Sequence, residues 1–150
     1  MRVVLDTNVL IDAASDDFGA PAKLVTAVID GEVTALVTPA MEREYTFKTA
    51  ELITNEAYRE RLADFLAAAE QVSPAPTEVQ IDDRDDRKFL QAAVGGQADL
   101  VITADRHLLQ IGEIGRIRMV TPPEAWVIFE EQTESSGEWN NWIQGLGIGR

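Results

Sequence analysis

Short apolar runs alternate with segments of helical periodicity along most of the chain. The run at 3–5 consists of β-forming residues and stops abruptly at Asp6, while the apolar group at 9–11 already belongs to another element. Short, continuous apolar runs of this kind are typical of strands that are buried on both faces, as in parallel sheets. The pattern therefore predicts buried strands at 3–5, Thr34–Val37, 100–103 and Ile117–Val120.

Between these strands, apolar residues recur at the spacing of an α-helix. The segment 21–29 has Pro21 at its start and Gly31 just past its end, which is the asymmetry expected of helix termini. Further helices are predicted at 39–47, 54–69, 82–96 and 122–129. This alternation predicts a three-layer α/β/α domain with a central, mostly parallel sheet of four to five strands.

Composition narrows the chemistry that the chain can support. At 150 residues the chain fits one ordinary domain, and it contains no cysteine and a single histidine. Disulfides, thiolate catalysis and cysteine zinc sites are therefore excluded, so any metal must be held mainly by oxygen. Because 26 Asp and Glu outnumber 13 Lys and Arg, the net charge of −13 makes the average surface repel nucleic acid, which counts against any nuclease.

The hydropathy pattern does not indicate a membrane protein. No apolar run approaches the roughly 20 residues that a membrane span needs, and the N-terminus has the pattern of a strand rather than that of a leader sequence. We therefore expect a cytoplasmic protein that has no membrane partner.

The composition shifts after Glu130 toward Glu, Ser, Gly and Trp. We therefore divide the chain into a domain at 1–130 and a C-terminal tail at 131–150. Two interpretations of the tail stay open. It is either a flexible terminus or a contact surface for a partner or a second copy of the chain, as in a homodimer. The second interpretation depends on the apolar patch of Trp139, Trp142 and Ile143.

Two aspartates follow apolar strands. Asp6 stands at the carboxyl end of the first predicted strand, and Asp105 comes shortly after the strand at 100–103. In open α/β sheets ligands bind at this edge, because the loops splay apart there and helix N-termini point into the crevice. A helix cap is the alternative for Asp6, and with Asp6 alone it would be favoured. The second carboxylate at the same edge favours a ligand site.

A third aspartate enters the same region from a helix. Asp86 lies three, four and seven positions before the apolar residues of one helical stripe, so its carboxylate shares the face that packs inward. A carboxylate on a packing face needs a donor network or a cation. The stripe consists of Phe89, Leu90 and Ala93. Favourable solvated charge at the helix N-terminus is the interpretation for the neighbouring Asp82, Asp83 and Asp85.

Acidic motifs occur in a definite order along about residues 1–129: VVLDTNVLI, MEREY, DDRKFLQAA and VITADRHLL, followed by a strand and TPPEAW. Together they resemble the PIN domain family, and in particular the VapC-like toxin components of toxin–antitoxin systems. The resemblance implies a metal-dependent endoribonuclease that hydrolyses RNA phosphodiester bonds, with Mg²⁺ or Mn²⁺ as its cofactor. It also implies the toxin of a toxin–antitoxin pair, with RNA as substrate and a cognate antitoxin protein as partner.

The resemblance also implies which residues form the site. Glu42 stays open as an alternative to Glu44, since helical spacing does not separate the two and the preference for Glu44 comes from the Glu-Tyr pair of the family pattern. Oxygen-only ligation selects Mg²⁺ or Mn²⁺ over zinc. The implied catalytic and metal-binding residues are Asp6, Glu44, Asp86 and Asp105, and the implied supporting residues are Asn8 and Thr103.

Basic side chains surround the implied ligands. They are interpreted as a local positive rim for phosphates, with solvated charge next to helix starts as the alternative. His107 departs from the family pattern, because many relatives carry a further acid at that position, and a cap or surface histidine is its alternative interpretation. The residues of the rim are Arg84, Arg87, Lys88 and Arg106.

Other functional classes match the same residues less well. An aspartyl-phosphate phosphatase needs a second aspartate two positions after Asp6, where this chain has Asn8. A receiver-type signalling domain needs a paired acid after the first strand and a lysine after a late strand, and the sequence contains neither. A PIN-fold metal-binding interaction module without nuclease activity stays open, because the carboxylates could persist as a structural metal site.

Overall fold

One sheet runs through the centre of the fold. A computed structural model describes residues 1–81 and 83–145, with side chains described up to residue 134. The strands are β1 (Arg2–Leu5), β2 (Thr34–Val37), β3 (Glu70–Gln71), β4 (Leu100–Ile102), β5 (Glu113–Ile114) and β6 (Ile117–Val120). The helices are α1 (Thr7–Ser15), α2 (Ala20–Ile29), α3 (Pro39–Leu52), α4 (Glu56–Ala68), α5 (Arg84–Gly96), α6 (Arg106–Ile111) and α7 (Pro122–Gly145).

The sheet has six strands in the order β3-β2-β1-β4-β6-β5. Neighbouring strands are parallel, apart from β5 and β6, which are antiparallel. Helices flank the sheet, so the predicted three-layer α/β/α architecture with a mostly parallel sheet is confirmed. The sheet has one strand more than the upper prediction of five. The four strands predicted by range are β1, β2, β4 and β6, and the other two are the edge strands β3 and β5, which contain two residues each. Strands this short leave no apolar run in the sequence.

The connectivity creates a switch point at β1. From β1 the chain proceeds outward through β2 and β3, and it then returns through α5 to β4, on the other side of β1. In doubly wound sheets ligands bind in the crevice outside the carboxyl ends of the strands at such a point. The two strands that border this crevice are buried along their apolar residues, which are Val3, Val4, Leu5, Leu100, Val101 and Ile102.

Side-chain caps determine where two of the helices begin. The hydroxyl oxygen of Thr38 accepts a hydrogen bond from the backbone N–H of Met41 at 3.3 Å, and Pro39 is the first residue of α3. The predicted start of this helix is therefore confirmed. Asn55 caps α4 in the same way, accepting from the backbone N–H of Tyr58 at 3.3 Å. That helix consequently begins at Glu56, two residues after the predicted start.

Two tyrosine hydroxyls tie the helices to the first strand and the helix that follows it. Tyr45 on α3 donates a hydrogen bond to the carbonyl oxygen of Leu5 at the end of β1. Tyr58 on α4 donates to the carbonyl oxygen of Leu10 in α1 at 2.6 Å. Tyr45 also packs edge-to-face against Phe65, with the ring centroids 6.3 Å apart. These contacts hold α3 against the carboxyl end of β1 and α4 against α1.

The last helix continues past its predicted end at 129 and reaches Gly145. Residues 130–138 are polar and carry no apolar periodicity, so the pattern contained no signal that the helix goes on. The division into 1–130 and 131–150 stays a prediction. The predicted patch of Trp139, Trp142 and Ile143 lies outside the residues whose side chains are described. Within the described residues, none of the helices is both long and apolar enough to cross a bilayer.

The first prediction concerns Gly95, where α5 lies against the loop that follows β3. A Cβ atom at Gly95 would lie 1.9 Å from the carbonyl oxygen of Ser73 and 2.9 Å from the backbone nitrogen of Ala75. The loop is held to the helix, because the Ala75 N–H donates to the carbonyl oxygen of Gln91 at 3.0 Å. We expect Gly95→Ala to lower the free energy of unfolding by about 2–4 kcal/mol, measured by urea denaturation.

Packing and helix propensity predict opposite signs for the change in unfolding free energy caused by Gly95→Ala. Propensity alone would make alanine at position 95 more stable than glycine by about 1 kcal/mol. Gly31 supplies the control, since it has a φ of +80° and no atom within 4 Å of the added Cβ. Gly31→Ala should therefore cost about 1 kcal/mol through backbone strain alone. A neutral or stabilising Gly95→Ala would contradict the close approach of the loop to α5.

Candidate active site

The register of β1 against β4 brings two strand ends together. Leu5 pairs with Ile102 across the parallel ladder, so Asp6 and Thr103 are the next neighbours along the two strands. The backbone N–H of Asp6 donates to the carbonyl oxygen of Ile102 at 3.0 Å, and the Thr103 hydroxyl donates to Asp6 Oδ2 at 2.8 Å. Both side chains are buried. The Asp6 carboxylate is therefore held by the neighbouring strand.

Asp6 is also the N-cap of α1. Its Oδ1 atom accepts a hydrogen bond from the backbone N–H of Asn8 at 3.3 Å. The cap and the ligand site are compatible, because each carboxylate oxygen has more than one lone pair. The side chain of Asn8 is exposed, so its contribution to Asp6 in this structure comes from the backbone.

Asp105 lies beyond the end of the adjacent strand. Its backbone N–H donates to the hydroxyl oxygen of Thr103 at 2.9 Å, so this hydroxyl group connects Asp105 to Asp6. The Asp105 carboxylate caps α6, with Oδ1 accepting from the backbone N–H of His107 at 2.8 Å. The two strand-end aspartates therefore occupy equivalent positions, each at the junction of a buried strand and the helix that follows it.

Glu44 is the acid of α3 that reaches the end of β1. Its Oε2 atom accepts a hydrogen bond from the hydroxyl of Thr7, and its Oε1 atom accepts one from Lys88 Nζ at 2.6 Å. Glu42 instead accepts from the Nε2 atom of Gln71, on the edge strand β3, at 3.2 Å. The geometry therefore favours Glu44 over Glu42 as the acid contributed by this helix.

Asp86 is buried, with 7% of its surface exposed, as its place on the apolar stripe of α5 predicts. Its Oδ2 atom is buried and has no hydrogen-bond partner among the described residues. Asp83 and Asp85 are exposed, and Asp83 caps α5 by accepting from the backbone N–H of Asp85 at 2.8 Å. Asp82 lies outside the described residues. The helix therefore separates one buried acid from its solvated neighbours.

Burial raises the pKa of Asp86 to about 6. Negative charges nearby add to this rise, in the order Asp105, Asp83 and Asp6, whereas His107 acts in the opposite direction. A carboxyl group with this pKa ionises less readily than a solvated one, and a nearby positive charge would favour its ionised form. Asp86 is therefore the acid of the group that most needs a cation or a donor.

Burial also raises the pKa of Asp6, against the opposing effect of hydrogen bonds from Thr103 and Asn8. The charges of Asp105 and Glu44 raise it further. Thr103 joins Asp6 to Asp105, Thr7 reaches Glu44, and Asp86 lines one cavity with His107 of α6. The structure therefore brings the four predicted acids to one edge of the sheet, while their catalytic and metal-binding roles stay predictions.

The four basic residues of the predicted rim differ in their surroundings. Lys88 is half-buried and pairs with Glu44. Burial acts to lower the pKa of Lys88, but the hydrogen bonds and charges of Glu44 and, to a lesser extent, of Asp85 at 3.5 Å together outweigh it and raise that pKa. Lys88 is therefore a counter-charge inside the site. The side chains exposed at its rim are Arg84, Arg87 and Arg106.

Thr7 is a site residue that the sequence analysis missed. It is buried, and its hydroxyl group donates to Glu44. A signal was available, because Thr7 directly follows Asp6 in the strand-to-helix turn and its side chain therefore starts beside the strand end. Its partner could not be identified in the same way, since Glu44 belongs to a different helix.

The donor set suits a hard divalent cation. The four acids offer oxygen ligands, which Mg²⁺ and Mn²⁺ prefer, and the buried Oδ2 atom of Asp86 lacks a partner among the described residues. Among the side chains described, at 1–81 and 83–134, no three acidic or histidine groups lie close enough to share one ion in the arrangement seen. Glu44 is engaged by Thr7 and Lys88 in that arrangement. The residues therefore fit the cation by their chemistry. Their side chains would have to rotate to bring three or more oxygens around one ion.

A family model described as PIN domain matches residues 2–107, a range that includes all four acids. The chain belongs to the PIN domain family. The match covers the elements from β1 through the start of α6, and thus both strands that border the crevice. The resemblance seen in the acidic motifs is therefore confirmed at the level of the family.

Two known proteins are similar to this PIN domain protein. The uncharacterized protein MJ1680 of Methanocaldococcus jannaschii is 26% identical over an alignment of 145 residues, gaps included, and the match covers 87% of this chain and 93% of that protein. The second is a chain in the crystal structure of VapBC2 from Rickettsia felis bound to a DNA fragment from their promoter, with a TM-score of 0.57 and 16% identity. That match covers 81% of this chain and 98% of the other, and it shows a shared fold.

The second prediction concerns the dependence of stability on pH in metal-free buffer. The pKa of Asp86 is raised to about 6 in the folded protein, so the folded state binds more protons than the unfolded state between about pH 4 and pH 6. Stability should therefore fall as pH rises through this window. Asp86→Asn removes this effect. The unfolding free energy of the variant minus that of the unsubstituted protein should therefore rise by up to about 3 kcal/mol between pH 4 and pH 7.

Urea denaturation in excess chelator, at several pH values across this window, measures the difference between the two proteins. Asp85→Asn is the matched control, because Asp85 lies on the same turn and is exposed. Its pH profile should run parallel to that of the unsubstituted protein. If Asp86→Asn also gave a parallel profile, the buried carboxyl group would not be the one that titrates.

The third prediction compares the two lysines that pair with Glu44. Lys88 Nζ lies 2.6 Å from Glu44 Oε1 and Lys48 Nζ lies 3.6 Å from it, with side-chain exposures of 19% and 40% respectively. Lys88→Gln should lower the free energy of unfolding by about 2 kcal/mol, because it weakens the pairing of a shielded carboxylate. Lys48→Gln should change it by less than about 0.5 kcal/mol. Equal effects in urea denaturation would show that Glu44 is not held by Lys88.

Proposed function

We propose that this PIN domain protein is a metal-dependent endoribonuclease that hydrolyses phosphodiester bonds of single-stranded RNA. Membership of the PIN family supports the fold and the class of protein. The observation that carries the proposal is the buried Asp86 carboxylate, which has one unpartnered oxygen and lies near enough to Asp6 and Asp105 for their charges to raise its pKa. Mutually repelling acids are costly to a fold, so their convergence at the switch point argues for a cation and for chemistry.

The proposed ligands of the cation are the four acids. A bound Mg²⁺ or Mn²⁺ would supply a Lewis acid that lowers the pKa of a water molecule and stabilises negative charge on a phosphate. The chain itself positions the ligands. Thr103 holds Asp6 through a 2.8 Å hydrogen bond, and Thr7 orients Glu44. The proposed ligands are Asp6, Glu44, Asp86 and Asp105.

Lys88 and the rim arginines would bind the substrate. The net charge of −13 repels RNA at long range, but exposed charges farther apart than about 8 Å are largely screened at physiological ionic strength. The exposed side chains of Arg84, Arg87 and Arg106 stand close in sequence to the acids of the site. They could therefore hold phosphates locally while the rest of the surface remains acidic.

We also propose that the protein is the toxin of a toxin–antitoxin pair and acts in the cytoplasm. The structural likeness to a chain of the VapBC2 complex supports this proposal, together with the acidic motifs. An acidic toxin would favour a basic segment in its antitoxin. Expression of the chain should arrest growth, and coexpression of a small protein encoded by an adjacent reading frame should restore it. Unimpaired growth at high expression would count against a toxin.

A PIN-fold metal-binding module without nuclease activity is the second candidate. It is favoured by one observation, namely that Glu44 is already engaged by Thr7 and Lys88 and is therefore not free to act on a water molecule. The two candidates differ in a measurable way. Both predict that Mn²⁺ binds and stabilises the fold, but only the nuclease predicts that RNA is cleaved when the ion is present.

The fourth prediction is that the purified protein cleaves single-stranded RNA with Mg²⁺ or Mn²⁺, and that excess chelator abolishes cleavage. Asp6→Asn should reduce the rate by at least about 100-fold, as expected when a principal charged group of an active site is lost. Asparagine can keep the cap of α1, so the fold should remain intact. Denaturation in metal-free buffer checks the fold, and gel electrophoresis of a labelled RNA measures cleavage.

Variants of α5 test whether the right acid has been assigned. Asp86→Asn should lose cleavage together with Mn²⁺ affinity in calorimetric titration, because Asp86 is buried at the site. Asp85→Asn should keep both, since Asp85 is exposed. Undiminished cleavage in chelator would refute the metal-dependent mechanism. Loss of Mn²⁺ binding in Asp85→Asn but not in Asp86→Asn would mean that the wrong face of α5 was assigned to the site.

A further inference from the structure

A cavity of about 310 Å³ opens directly beside the acidic edge. Its volume exceeds the roughly 30 Å³ of one water molecule and reaches the ~300–1,000 Å³ of pockets that bind small organic ligands. Asp86 belongs both to the cavity wall and to the acidic site, so a group in the cavity would lie next to the proposed reaction. The residues that line the cavity are Gln80, Ile81, Asp83, Asp86, His107 and Ile111.

The walls of the cavity suit a flat, partly apolar group. Ile81 and Ile111 are partly buried and pack against the hydrophobic core. The backbone at Ile81 is held to α5, because Arg87 Nη2 donates to its carbonyl oxygen at 2.9 Å. His107 precedes Ile111 by one turn of α6 and adds a planar imidazole ring. Unstacked bases of single-stranded RNA bind between apolar side chains and planar rings of this kind.

The charges of the lining argue against a phosphate or a cation as the occupant. Asp83 and Asp86 supply two carboxylates, and the described lining residues include neither lysine nor arginine. Phosphate oxygens would therefore be repelled. A separate ion in the cavity is disfavoured as well, because the lining supplies only two carboxylates and one of them, Asp86, already belongs to the proposed metal site. Carboxylates do accept hydrogen bonds, so the lining favours a group that offers N–H donors.

Asp83 lines the cavity and supplies a carboxylate acceptor. Its Oδ1 atom caps α5 by accepting from the backbone N–H of Asp85 at 2.8 Å, which restricts rotation of the carboxylate. A carboxylate accepts two parallel N–H bonds from a donor pair. Among the four bases of RNA, guanine presents two adjacent donors, N1–H and the 2-amino group, on its Watson–Crick edge. Gln80 adds an amide donor to the same lining, which suits the neighbouring O6 acceptor.

We propose that this cavity is a nucleobase subsite that selects guanine next to the cleaved phosphodiester bond, with Asp83 as the specificity-determining residue. The inference rests on the proposed ribonuclease function and adds the base that the enzyme prefers. It separates Asp83 from Asp86 by role: Asp83 recognises a base, whereas Asp86 belongs to the reacting site.

The fifth prediction uses short, labelled uridine RNAs that carry one guanosine, adenosine, cytidine or inosine at the centre. Cleavage beside guanosine should exceed cleavage beside adenosine or cytidine by about fivefold to a hundredfold, the range expected of one good bidentate contact. Inosine keeps N1–H but lacks the 2-amino group, so most of the preference should be lost with it. Equal cleavage beside guanosine and inosine would overturn the proposal.

Asp83→Asn tests the acceptor without removing the cap, because asparagine caps helices as well as aspartate does. The variant should fold normally, and its preference for guanosine should fall below about twofold. The readout is the ratio of rates between RNAs, because the absolute rate also responds to the charge next to Asp86. Asp85→Asn removes a charge from the same turn outside the cavity lining, and it should keep the preference. An unchanged preference in Asp83→Asn would overturn the assignment.

Binding measured in chelator keeps this inference separate from the nuclease proposal. Fluorescence anisotropy of the same RNAs should show tighter binding of the guanosine RNA, with the difference lost in Asp83→Asn. If binding behaves in this way but no RNA is cleaved with either metal, the subsite stands and the nuclease proposal fails. If RNA is cleaved without base preference, the nuclease proposal stands and the guanine subsite is refuted.

Discussion

The pairing of β1 with β4 is the interaction on which the site depends. The ladder continues one step beyond β1, where the backbone N–H of Asp6 donates to Ile102. At that step the Thr103 hydroxyl reaches Asp6 and accepts from the backbone of Asp105. A hydroxyl group can donate and accept at the same time, so one side chain connects two acids from separate strands. A shift of this register by one residue would turn the side chains to opposite faces and separate the acids.

The same edge has to stabilise acids that repel one another. Asp6 and Asp105 each accept from a backbone N–H of the helix that they cap, so the positive end of a helix faces each carboxylate. Glu44 is neutralised by Lys88. Asp86 lacks such a partner among the described residues, and its pKa is correspondingly raised. Three acids of the site are therefore stabilised by hydrogen bonds or by an ion pair, whereas Asp86 is not. This arrangement favours entry of a positive charge beside Asp86.

An acidic surface is compatible with an RNA substrate because surface charges act only over a short distance in salt. Screening by salt weakens the repulsion of distant surface charges, whereas half-buried charges such as Lys88 are screened much less. Local charge therefore decides what the crevice accepts. The proposed base subsite would add a second selection, since its two carboxylates, Asp83 and Asp86, would repel phosphates and accept hydrogen bonds. The phosphates and the bases of a bound RNA would then lie in different parts of the site.

The alternation of strands and helices and the inward face of α5 could be predicted from the residues alone, because both follow from local periodicity. Asp86 could be distinguished from its acidic neighbours for that reason. The tertiary structure alone decided between Glu42 and Glu44, since packing of α3 beside α1 and α5 brings Glu44 to Thr7 and Lys88. It also decided the two-residue edge strands, which form where a neighbouring strand offers unpaired backbone groups. Contacts between residues distant in sequence arise from packing, which a local pattern does not encode.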